Sequence, residues 1–138
     1  MPALSQSQID AFWRDGYVCV PNAVTPAQLQ AMRGLIADWV EESRDHATPF
    51  GPETIDGRPR FDMGAEHSAT NPALRRINNP SDLYGPYEDV MRNAAVADMV
   101  SDLIGPDVKF HHDKINLKLP GSNTEVHYHQ DFLFTPHT

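Results

Sequence analysis

The chain has 138 residues and a formal net charge of −8. That length suits one modest core and a single domain over residues 1–138. The acidic balance argues against nucleic acid or an anionic membrane surface as the main partner, because both demand clustered Lys and Arg. Cys19 has no second cysteine to pair with, which fits a reducing, cytoplasmic setting. The residues after Met1 lack the basic and apolar regions of a signal peptide. No run of about 18 apolar residues suggests a membrane span.

Residues 1–44 read as a helical scaffold. A first helix is expected over Ser5–Asp15, capped by Ser5 with Gln8 three residues later. Ile9, Phe12 and Trp13 form its apolar face, and Gly16 ends it. Tyr17-Val18-Cys19-Val20 has strand composition and stops at Pro21-Asn22. Thr25, Pro26 and Gln28 then open a second helix, with Leu29, Met32, Ile36, Trp39 and Val40 on a 3.6-residue period.

Between Asp45 and Tyr87 the periodicity disappears, and six of the twelve prolines fall there. The expectation for 45–87 is a long Pro-rich loop, suited to a substrate lid. Within it, Pro72 to Pro80 reads as a short helical turn followed by an extended piece. Arg75 and Arg76 are an adjacent basic pair in an acidic chain. A solvated pair is one reading, and a clamp for a carboxylate is the other.

Residues 88–138 are expected to supply a helix and the first core strands. Apolar residues from Val90 to Ile104 recur at three- and four-residue steps, and Gly105-Pro106 stops the helix. A strand is expected from Val108 to about Leu119. On it Ile115, Leu117 and Leu119 share one face, and Lys114, Asn116 and Lys118 share the other. After the turn at Pro120-Gly121-Ser122-Asn123, a second strand runs from Val126 to Phe134. It carries His129-Gln130-Asp131, whose imidazole and carboxylate would project from one face.

One His and one carboxylate make two-thirds of a 2-His-1-carboxylate centre for non-haem Fe(II). The spacing alone does not single out this pair. His111-His112-Asp113 is a second His-x-Asp, and His127 with His129 is a His-x-His that suits zinc. Histidines on a sheet face also serve as ordinary hydrogen-bonding groups.

The run from His112 to Gly121, followed by His129-Gln130-Asp131, resembles the phytanoyl-CoA dioxygenase family. So does the opening Phe12-Trp13-Arg14-Asp15-Gly16-Tyr17-Val18-Cys19-Val20-Pro21 with its Thr25-Pro26 helix start. The resemblance implies an α+β fold with amino-terminal helices on a cupin-like double-stranded β-helix, or jelly roll. It implies an Fe(II)- and 2-oxoglutarate-dependent dioxygenase that hydroxylates a small organic substrate. On that footing His129 and Asp131 match metal ligands. Lys114 matches a position lining the 2-oxoglutarate site, Asn116 shares its face, and Arg76 resembles a basic position that reaches the co-substrate.

The family pattern also calls for a distal His and a downstream Arg, yet no Arg follows Arg92. The expectation is therefore an amino-terminal part of a longer protein, incomplete at its carboxyl end and inactive alone. Its open sheet edges would favour self-association. Two other readings stand beside the oxygenase. One is a non-catalytic binding or assembly module. The other is a zinc hydrolase-like site built from His127, His129 and His111 or His112.

Overall fold

Both helix starts read from the sequence are present. In α1 (Gln6–Asp15) the Ser5 hydroxyl accepts from the Gln8 N–H, and the Gln8 side chain accepts from the Ser5 N–H. In α2 (Pro26–Glu42) Thr25 and Gln28 make the same reciprocal pair, with Pro26 in the first turn. These boxes satisfy N–H groups that a helix end otherwise leaves orphaned. Gly16 closes α1 at φ 82, and its N–H donates to the Phe12 carbonyl. The computed structural model describes residues 2–83, 85–93 and 95–130.

The third helical region is also present, as α3 (Pro86–Asn93) and α4 (Ala95–Ile104). Gly105, at φ 108, follows it, and its N–H donates to the Ser101 carbonyl. The N–H of buried Leu4 donates to Asp102 of α4 at 2.8 Å, which ties the start of the chain to that helix. On α1, Ile9 and Phe12 are half-buried, whereas Trp13 stays exposed and meets Phe12 edge-on.

The sheet departs most from expectation. It has four antiparallel strands in the order β1 (Phe50–Glu53), β2 (Pro59–Met63), β3 (Leu74–Asn78) and β4 (Lys114–Asn116). Three of them lie in the stretch expected to be an irregular loop. Of the helical turn and extended piece expected over Pro72–Pro80, the helical turn is absent and the extended piece is strand β3, with a 3₁₀ turn following at Pro80–Leu83. Conversely, Tyr17–Val20 forms no strand. The strand expected from Val108 to Leu119 is laddered over Lys114–Asn116 alone, and residues 126–130 form none. A β-propensity segment becomes a strand only where another backbone edge takes up its N–H and C=O groups. Tyr17–Val20 and residues 126–130 pair with no such edge among the described residues.

Directly opposed residues Phe50, Phe61, Ile77 and Ile115 form one apolar row across all four strands. Trp39 of α2 packs on this row with fully buried Leu74 and Ile77. Leu35, Ile36 and Val40 flank it from the same helix, and Leu117 and Leu119 from beyond β4. Tyr87 of α3 stacks on Trp39 at 5.8 Å and donates its hydroxyl to the Met32 carbonyl. The domain is thus a helical layer on one face of an antiparallel sheet, an α+β arrangement. No helix among the described residues is long and apolar enough to cross a membrane.

Gly51 lets β1 approach β2. Its φ is +85, and a Cβ there would lie 2.9 Å from a Phe61 ring carbon and 3.0 Å from the Arg60 Cβ. The ladder shifts register at this point, as a glycine bulge does. Gly51→Ala should destabilise the fold by about 1–3 kcal/mol through strain and overpacking. A urea titration checks this, and an unchanged midpoint would show that β1 is not held as described.

Candidate active site

The face of the sheet turned away from the helices is polar, and a bulge in β3 builds it. Asp62 is paired with Arg76 and Met63 with Leu74, so Arg75 is an extra residue. In an unbroken strand, residues three apart point to opposite faces. The bulge brings Leu74 and Ile77 to the core side together, and both arginines of the pair fall clear of the core.

The two arginines then separate in role. Arg75 Nη2 donates to Asp62 Oδ2 at 2.6 Å. Arg76 lies directly opposite Asn116 on β4, and its Nε donates to Asn116 Oδ1 at 3.3 Å. Lys114, two residues from Asn116, shares that exposed face and is paired in register with Asn78. The structure therefore brings three sequence-predicted site residues, Arg76, Lys114 and Asn116, onto one face of adjacent strands. Among the described residues neither Arg76 nor Lys114 has a carboxylate partner.

Arg60 and Asp62 were not anticipated as part of this face. Arg60 is buried. Its Nη1 donates to the carbonyls of Asn78 and Asn79 and reaches Asp82 at 3.3 Å. It fixes the turn between β3 and the Pro80–Leu83 segment, behind the Lys114 end of β4. Alternation from Phe61 could have placed both residues, had β2 been read as a strand. An apolar cavity of about 300 Å³ lies on the helical side, lined by Leu35, Trp39 and Tyr87 with Pro80, Leu83 and Pro86. It has no cation to receive an anion and stands apart from the polar face.

His129 lies in an irregular, exposed segment rather than on a strand. Its Nδ1 is 2.6 Å from the His127 carbonyl. A carbonyl only accepts, so Nδ1 carries a proton in this contact, which leaves Nε2 as the nitrogen that could ligate a metal. Asp131, its expected partner, falls outside the described residues, as does His137. Among the described residues no group of three His, Cys, Asp or Glu side chains is placed to hold a metal ion. The histidines of the zinc reading, His111, His112, His127 and His129, form no such group. His111 and His112 meet each other edge-on at 4.3 Å, and His127 sits 3.6 Å from Glu125, so these histidines do not converge on one ion.

The rival His111/Asp113 pair has a structural use for its carboxylate. Asp113 accepts from the Ser81 hydroxyl at 2.9 Å and from the Ser81 N–H at 3.3 Å, and its carbonyl accepts from the Asn79 N–H. These bonds tie the start of β4 to the Pro80–Leu83 turn. Burial raises the Asp113 pKa above 3.8, with the Ser81 hydrogen bonds opposing the shift. Burial also raises the Tyr87 phenol, and the Asp113 charge adds to this.

A carboxyl whose folded pKa is raised binds its proton more tightly folded than unfolded. Its ionised form weakens the fold, and that penalty is relieved as pH falls through the raised value. Relative to Asp113→Asn, which cannot titrate, the parent chain should gain stability as pH drops toward 4. Paired urea titrations across the acidic range measure the difference. A gap that widens as pH rises, in favour of the parent, would refute the assignment.

Comparison with known proteins now joins this geometry. Residues 12–138 match the family profile described as phytanoyl-CoA dioxygenase (PhyH). Over 78 residues the chain is 33% identical to a probable alpha-ketoglutarate-dependent hypophosphite dioxygenase of Stutzerimonas stutzeri. That stretch is 56% of this chain and 27% of the relative. No solved structure gives a significant match. The profile covers nearly the whole chain, including the polar strand face and the His129 segment, and the chain belongs to the phytanoyl-CoA dioxygenase (PhyH) family.

Proposed function

We propose that this chain carries the co-substrate side of an Fe(II)- and 2-oxoglutarate-dependent dioxygenase that hydroxylates a small organic substrate. The observation that carries the reading is the pair of uncompensated cations on one rigid face, Arg76 and Lys114, with Asn116 beside them. In a chain of net charge −8, two laddered cations without carboxylate partners among the described residues suit a dianion. 2-Oxoglutarate has two carboxylates. The Arg76 guanidinium would hold one through paired N–H donors, with Asn116 orienting it through Nε, and Lys114 would add a point charge. Because β3 and β4 are laddered together, these groups need little rearrangement to receive the ligand.

His129 and Asp131 would hold iron together with a further histidine, on a cupin-like jelly roll completed by strands added to this sheet. When bound, iron supplies dioxygen activation coupled to oxidative decarboxylation of 2-oxoglutarate to succinate. Family membership supports a dioxygenase, and the relative's printed name supports 2-oxoglutarate as co-substrate. That name also points to hypophosphite, a small inorganic anion, so the substrate screen should include it beside small organic acids and amines. Small molecules are the expected partners, in a cytoplasmic setting.

The full-length protein should release succinate from 2-oxoglutarate when given its substrate, and His129→Ala should abolish that release. Activity surviving in His129→Ala would transfer the metal role to His111 and Asp113. Lys114→Ala should raise KM for 2-oxoglutarate about tenfold with a smaller change in kcat, the signature of lost binding rather than lost chemistry. Absence of 2-oxoglutarate binding by the full-length protein would favour a non-catalytic assembly module.

A further inference from the structure

The polar face holds two adjacent arginines on one bulge, and Asp62 treats them differently. In the ladder Asp62 stands opposite Arg76, and Arg75 is the extra residue between that pair and the Met63–Leu74 pair. Asp62 binds Arg75 at 2.6 Å, and Arg76 is left to reach Asn116. We propose that Asp62 is a specificity-determining residue that withdraws Arg75 from the anion site and so decides which arginine receives the co-substrate. The inference rests on the reading of this face as the 2-oxoglutarate site.

Two features make Arg75 a held reserve rather than a purely structural residue. Its Nε is buried without a hydrogen-bond partner among the described residues, so the side chain is secured mainly at its Nη2 end. Its backbone is secured separately, since the Arg75 carbonyl accepts from the Leu117 N–H at 2.8 Å. Loss of the Asp62 charge would therefore free the guanidinium while the bulge persists. The charge count follows the same logic. With Arg75 held by Asp62 and Arg60 beside Asp82, Arg76 and Lys114 are the cations of the β3–β4 ladder that have no carboxylate partner among the described residues. Arg75, once free, stands one residue away from the group it would replace.

The test is a suppressor experiment on the full-length protein, read as the dissociation constant for 2-oxoglutarate. Isothermal titration with Mn(II) in place of iron avoids turnover. Arg76→Gln should weaken binding at least about tenfold, as expected for loss of a charge-assisted pair. Adding Asp62→Asn should restore binding to within about threefold of the parent, because Arg75 takes over. Adding Asp62→Glu should not restore it, because the longer carboxylate still holds Arg75. Asp62→Ser provides a second release variant if the first folds poorly, with urea midpoints checking each protein.

Recovery with Asn or Ser but not Glu supports the inference. A loss in Arg76→Gln that neither release variant repairs overturns it and leaves the co-substrate site standing. Unchanged binding in Arg76→Gln overturns the site reading, and the inference with it.

Discussion

The bulge at Arg75 is the constraint on which the rest of the domain depends. A strand alternates faces with period two, and the sequence Leu74-Arg75-Arg76-Ile77 does not. Without the extra residue, either Leu74 or Ile77 would leave the core, and one arginine would have to enter it. Burying an unpaired guanidinium is far more expensive than one irregular step in a ladder. The bulge settles the conflict by giving both apolar residues to Trp39 and Phe61 and both arginines to the opposite face. Core packing and site chemistry are thus consequences of a single register shift.

Function follows from how that face is divided. An acidic chain concentrates cations where β2, β3 and β4 run side by side, then neutralises some and leaves others. Arg60 is spent on backbone carbonyls and Asp82 and shapes the turn into α3. Arg75 is held by Asp62. Arg76 and Lys114 keep their charge in a rigid setting beside the Asn116 amide. Under the proposed reading this face is an electrostatic complement for a small dianion, held by the β3–β4 ladder. The helical layer on the other side carries an apolar cavity and no comparable charge, so the two faces have separate tasks. On the helix side α2 and α3 support the sheet, and on the polar side the sheet presents its charged groups.

Much of this was legible in residues taken one by one. The helix starts at Ser5 and Thr25 were readable because capping is local: a hydroxyl and a glutamine three residues apart settle it. The alternation from Lys114 to Leu119 was readable because period two survives there. The Arg75–Arg76 pair was recognised and an extended piece was expected beside it, but the start of β3 was misread, because two apolar residues three apart imitate a helical turn. The strands around Pro52 and Pro59 were hidden for a related reason. Proline-rich, short and bulged, they lack the composition that announces a strand, and their pairing depends on each other.

The reverse error occurred at Tyr17–Val20 and at residues 126–130. Both have strand composition, yet among the described residues neither finds an edge to pair with. The sequence by itself determined the local punctuation and the family, and it nominated the candidate site residues. It could not determine which segments share a sheet, because a ladder is formed by backbones distant in the chain. Only the tertiary structure decided that Arg76 faces Asn116 and that Asp62 holds Arg75. The physical reason is register: which residues meet across a sheet is set by where the strands are pinned, and here one bulge pins them.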